Sequence, residues 1–144
     1  MKLRIIIIFL FLLPSCASSI NGETIAAQME KLYSAGHKYR KNGQFIEARE
    51  EYSKLMNLAE EVNDGLNHAL AREFVASTYY ALKDYNKAIE LYKQSAGFYK
   101  KEGYESILAT TYTWLELSYS ALKQYQKALE FALLQVDIVK KLGD

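Results

Sequence analysis

The 144-residue sequence contains one cysteine, one proline and seven glycines, and each scarcity closes off a class of structure. A single cysteine cannot form an internal disulfide, so stability rests on packing alone. So little turn punctuation excludes a many-stranded β protein and favours long helices. Charge of one sign is lacking too: 18 Lys and Arg stand against 17 Asp and Glu, a formal net charge of +1. The lysines are interleaved with glutamates, without the clustered basic excess that neutralises phosphates, so nucleic acid is not an expected partner. The Lys100-Lys101 and Lys140-Lys141 pairs fall where helix C-termini are expected and complement the helix dipole. What is present is ordinary for one globular domain: 50% hydrophobic and 24% charged residues.

Catalytic and metal-binding patterns are also missing. No Gly-rich loop occurs, and His37 and His68 lie 31 residues apart without carboxylates at ligand spacing. Both histidines read as surface residues, and Glu50-Glu51 and Glu60-Glu61 read as solvated charge on helix faces. No enzymatic activity, cofactor or metal is expected.

Residues 1–15 stand apart. Lys2 and Arg4 precede the apolar run Ile5 to Leu13, followed at once by Pro14, Ser15 and Cys16. Nine apolar residues are too few to span a bilayer, which takes roughly 20, and the pattern is that of an export signal. LPSC at 13–16 resembles a bacterial lipobox, with Pro14 departing from the usual residue. On that resemblance Cys16 becomes the lipid-modified N-terminus of the mature chain; cleavage after the small-residue triplet Ser15-Cys16-Ala17 would instead discard it. Residues 16–23 are then a short tether and 24–144 the folded domain.

Two decapeptides, ALKDYNKAIE at 81–90 and ALKQYQKALE at 121–130, reveal an internal repeat. Sliding the chain by forty residues aligns Tyr39, Tyr79 and Tyr119, the aromatics Phe45, Tyr85 and Tyr125, the alanines Ala48, Ala88 and Ala128, and the glutamates Glu50, Glu90 and Glu130. A polar turn separates each tyrosine from its alanine. Gly43 suits the residue after a helix end and Asp84 an N-cap, so two helices meet at each turn. Helices are predicted over 24–41, 44–62, 66–82, 85–101, 104–122 and 125–142.

These positions resemble the tetratricopeptide repeat family, whose pattern is W-x2-L-G-x2-Y followed by A-x3-F. The first copy supplies Leu32, Ala35, Gly36, Tyr39, Ala48 and Tyr52; the second Val75, Ala76, Tyr79, Ala88 and Tyr92; the third Tyr112, Leu115, Tyr119 and Ala128. Arg72, Glu116 and Ala132 depart from it. The resemblance implies an all-α fold: three antiparallel helix pairs, at about 29–65, 69–105 and 109–144, stacked as a right-handed superhelical solenoid. The period of forty exceeds the usual 34 or so; because the tyrosine-to-alanine spacing is normal, the extra residues belong after each second helix, near 63–65 and 102–105.

In this family the first helix of each pair lines a concave groove for a partner's peptide. The matching positions are Tyr33, His37 and Arg40, then Phe74, Ser77 and Tyr80, then Thr110, Trp114 and Leu117. None is Lys or Asn, with which the chaperone-binding members clamp a C-terminal carboxylate, so that ligand is set aside. The aromatic face suits an extended or helical peptide; the same side chains could equally close the inner core of a tight superhelix.

The resemblance implies a non-enzymatic interaction module, exported and lipid-anchored, of the kind that assembles envelope machinery in Gram-negative bacteria, facing the periplasm from the outer membrane. A secreted or soluble periplasmic protein is the alternative location. An alternative role is the N-terminal sensory part of a truncated bacterial regulator. The last helix is expected to be an interface for a partner or for self-association. Phe131, Leu133 and Leu134 replace Glu51, Ser53 and Lys54 of the first copy, where a solvated end cap would be polar.

Overall fold

A computed structural model describes residues 23–143; the expected export signal and Cys16 lie outside the described residues. Six helices follow one another: α1 (Ile25–Lys41), α2 (Phe45–Glu61), α3 (Gly65–Ala81), α4 (Tyr85–Glu102), α5 (Glu105–Ala121) and α6 (Tyr125–Gly143). Each packs on its neighbours in sequence, so the pairs stack as an all-α helical repeat solenoid. The predicted helix limits shift by no more than a residue or so.

The helix ends follow from local chemistry. Thr24, Asp64 and Asp84 accept backbone N–H groups from Ala27, Asn67 and Lys87 and thereby cap α1, α3 and α4. Every turn places one residue in the left-handed region: Gly43 and Gly103, but also Asn63, Lys83 and Lys123. The following N–H donates back to the carbonyl near the helix end. At the three equivalent turns that acceptor is the repeat tyrosine: Gln44 to Tyr39, Asp84 to Tyr79 and Gln124 to Tyr119, at 2.9–3.0 Å.

The small repeat positions set the helix spacing. Ala48 and Ala88 are wholly buried and Ala128 nearly so. At Gly36 a Cβ would stand 2.5 Å from the Tyr52 ring, so only glycine admits α2 this close to α1. The aromatic at the next position then bridges successive pairs: Tyr52 meets Phe74 of α3 with ring centroids 5.0 Å apart, and Tyr92 stacks on Trp114 of α5 at 6.0 Å. Tyr79 and Tyr119 are capped by cations, the Arg49 guanidinium at 4.8 Å and the Lys93 and Lys127 ammonium groups at 5.5 and 5.3 Å.

Two expectations are corrected. Phe131 does not lie on the exposed face of α6: it stacks on Tyr119 and tilts against Tyr112, both at 5.6 Å, because its helix phase turns it toward α5. Leu133 and Leu134 are exposed. His68 is half-buried rather than a surface residue, with the Arg72 guanidinium 3.3–3.4 Å from its ring nitrogens. Burial, reinforced by the Arg72 charge, holds its pKa below the ordinary histidine value.

Candidate peptide groove

The nine groove positions do not form one continuous surface. Tyr33 of α1 packs on Phe74 of α3 at 5.1 Å and stacks on His37 at 5.9 Å, uniting three of them. Tyr80 meets Trp114 edge-on at 5.7 Å. Trp114, stacked on Tyr92 as well, is half-buried and serves the core as much as any surface. The Ser77 hydroxyl donates to the Phe74 carbonyl at 2.7 Å and Thr110 to Ser106 at 3.4 Å, so both are occupied locally. Arg40 is exposed but lies against the Tyr52 hydroxyl, where it opposes the rise in pKa that burial gives this phenol.

What separates these groups is a difference between the two intervals along the solenoid. Between α3 and α5 the inner face is closed. Glu73 of α3 and Thr111 of α5 are hydrogen-bonded, and the Ser95 hydroxyl of α4 donates to the Ala69 carbonyl at 3.0 Å. One repeat earlier the positions of Glu73 and Thr111 are held by Tyr33 and Ala71, so α1 and α3 are wedged by rings instead of drawn together by a polar contact. There a cleft of about 480 Å³ opens, walled by Met29 and Tyr33 of α1, Leu55 of α2 with Val62 just past its end, and Leu70 and Phe74 of α3. Glu30 and Asp64 stand at its rim. A second, shallower cleft of about 420 Å³ runs between α5 and α6 and takes in Thr110, Trp114 and Leu117 with Gln135, Val139 and Leu142.

Met29, Leu55, Val62 and Leu70 were not anticipated as groove residues. Met29 and Leu70 lie one turn nearer the start of α1 and α3 than Tyr33 and Phe74, Leu55 lies in the body of α2 and Val62 just past its end. The signal was available in the apolar steps Met29 to Tyr33 and Leu70 to Phe74, four residues each.

Among the described residues, the closed interval contains the one carboxyl that burial raises far from its ordinary value. Burial raises the Glu73 carboxyl from its ordinary value to about 7, against the opposing effect of the Thr111 hydrogen bond. Its neighbours on α4, the Tyr92 and Tyr99 hydroxyls, are buried without hydrogen-bond partners, and burial followed by the Glu73 charge pushes both phenols well up. Thr111 has one hydroxyl proton and two acceptors in reach, Glu73 and the Ile107 carbonyl at 2.9 Å. A protonated Glu73 satisfies all three groups, donating to Thr111 Oγ1 while Thr111 donates to Ile107. Glu73 lines neither of the two clefts described above. Among the described residues no cluster of His, Cys, Asp and Glu could hold a metal ion, and no helix is long and apolar enough to cross a membrane.

A tetratricopeptide repeat family model matches residues 28–101, just over half of the chain. The chain belongs to the tetratricopeptide repeat family. Solved tetratricopeptide structures share its fold: the tetratricopeptide domain of FLU from Arabidopsis superimposes with a TM-score of 0.75 at 17% identity, covering 81% of this chain and 98% of that one. The N-terminal domain of stress-induced protein-1 from C. elegans gives 0.65 at 12% identity, covering 84% and 96%. No curated protein matches the sequence. Tetratricopeptide domains generally mediate protein–protein interaction, which directs attention to the α1–α3 cleft rather than to any reactive side chain.

Proposed function

We propose that this protein is a non-enzymatic protein–protein interaction module, exported and anchored by lipid on Cys16, whose α1–α3 cleft takes an apolar stretch of a partner protein. The observation that carries the reading is the cleft itself, apolar in its walls and open where the next interval is closed. Its aromatic pair, Tyr33 and Phe74, offers large contact area at low entropic cost. The rim carboxylates Glu30 and Asp64 favour a partner segment with a basic residue beside its apolar anchors. Export and anchoring are supported by the basic start, the Ile5 to Leu13 run and LPSC. In this reading the module serves as a scaffold or assembly factor at the cell envelope.

The two halves are tested separately. Metabolic labelling with a clickable palmitate should mark the wild type and not Cys16→Ser; equal labelling removes the lipid anchor from the account. Pull-down after crosslinking in native membranes should recover a partner with wild type and lose it with Tyr33→Ala/Leu70→Glu at unchanged helicity. Equal recovery with the variant refutes the cleft as binding site.

A further inference from the structure

The exposed side of α6 has counterparts in α2 and α4 that are covered, and the comparison identifies what this side is built for. In α4 the face formed by Ile89, Tyr92, Lys93, Ala96 and Tyr99 lies under α5; Ile89, Ala96 and Tyr99 retain 8%, 7% and 0% exposure. Forty residues on, the same face of α6 reads Leu129, Ala132, Leu133, Val136 and Val139. Nothing among the described residues covers it, and Leu129, Val136 and Val139 are 60%, 42% and 54% exposed. A helix that closes a solenoid against water exchanges apolar residues for polar ones. Here the exchange runs the other way: Leu129 keeps the apolar character of the covered Ile89, and Lys93, which reaches across to the next repeat's tyrosine, is replaced at its equivalent position by Leu133.

We propose that this face is a self-association surface on which α6 of a second copy packs antiparallel, a reading independent of the cleft. Three observations favour a second copy. First, Ala132 stands where Tyr52 and Tyr92 present rings to an incoming Phe74 or Trp114. The seat for the aromatic of a further repeat is therefore gone, and a small residue at mid-helix lets two helices approach closely. Second, the stripe together with Tyr125 exposes apolar surface on the order of 500 Å² per copy, so a symmetric pair buries about 1,000 Å², the size at which a specific interface holds. Third, the exposed charges along α6 are ordered, Glu130 in its first half, Asp137 past its middle and Lys140 and Lys141 at its end, with Lys127 turned away over the Tyr119 ring. Antiparallel packing sets each Glu130 opposite the second copy's Lys140, twice by symmetry, whereas parallel packing aligns like charges.

Sedimentation velocity on the full chain tests this, with helicity followed by circular dichroism. The wild type should sediment as a dimer that dissociates on dilution. Leu129→Glu/Val136→Lys should be monomeric with the same helicity. Glu130→Lys should weaken the dimer roughly tenfold, and adding Lys140→Glu and Lys141→Glu should restore it. A wild type that stays monomeric at the highest attainable concentration overturns the proposal and assigns the face to a different protein or to a segment of this chain outside the described residues. A dimer indifferent to Leu129→Glu/Val136→Lys places association elsewhere and overturns it as well. Failure of the charge reversal to restore the dimer overturns the antiparallel order; these sites are exposed, so that arm holds even if the double variant unfolds.

Discussion

Glu73→Gln should raise the stability of the protein at and above neutral pH while leaving it nearly unchanged in acid. The carboxyl titrates near 7 in the folded chain, whereas in the unfolded chain it returns to the ordinary value of 4.5. A folded-state pKa raised above the unfolded one means that the native state holds the proton more tightly. Its stabilising contribution is complete below about pH 4.5, declines as pH rises, and is lost above about pH 7. The difference corresponds to roughly 3 kcal/mol between the two limits, a large share of the stability of a domain of this size. Glutamine can donate an amide N–H to Thr111 Oγ1 in place of the carboxyl proton, leaving Thr111 to donate to Ile107, and it never ionises, so the variant lacks this slope. His68 works in the opposite sense: its lowered pKa removes stability as pH falls below the ordinary histidine range, and it does so equally in both proteins. Only the difference between wild type and variant isolates Glu73. Urea unfolding from pH 4 to 9 measures it: the two stabilities should converge near pH 4 and diverge by roughly 3 kcal/mol at pH 8, the variant being the more stable. Parallel curves, or a wild type more stable at pH 8, would show that the carboxyl is not held neutral in the closed interval and would refute the reasoning.

Gly36→Ala should cost roughly 1–3 kcal/mol, because the added methyl meets the ring of the buried Tyr52, which is held by Phe74 on its other side; an unchanged thermal midpoint would contradict the close approach of α1 and α2. Ala88→Arg should unfold the chain, since Ala88 is wholly buried and the arginine brings both excess volume and an unpaired charge. Glu90→Arg, two residues on and exposed, should change stability by only about 0.5 kcal/mol; equal melting of the two variants by circular dichroism would contradict the packing register.

Helix positions were legible in the sequence because each turn carries its own chemistry. The repeat tyrosine provides the carbonyl that closes the turn, and Asp84 provides the cap that starts the next helix. The left-handed residue was legible at Gly43 only. Lys83 and Lys123 adopt the same conformation without a side chain that advertises it, held by the bond from the next N–H to Tyr79 or Tyr119. Helix phase was less legible than helix extent. Phe131 and Leu134 are three residues apart, yet one stacks on Tyr119 while the other faces outward, and a sequence period alone does not choose between them.

The groove was legible as an aromatic face but not in its extent. Whether two first helices splay or close depends on what meets between them. Tyr33 and Glu73 occupy corresponding places, yet Tyr33 meets the Phe74 ring and Glu73 bonds to Thr111, with opposite effects. That outcome comes from side-chain volume and hydrogen bonding across thirty-eight residues of sequence, beyond the reach of a local pattern.

The central claim, that the α1–α3 cleft is where a partner binds, is tested most directly by photocrosslinking from a benzoylphenylalanine placed at single positions in the full chain in cells. Met29 lines the cleft, whereas Lys87 lies outside its lining in the first turn of α4, paired with Glu90. The account predicts one discrete crosslinked species from position 29, competed away by an excess of the unlabelled chain and absent from position 87. Crosslinks of equal yield and size from both positions, or from position 87 alone, would contradict it.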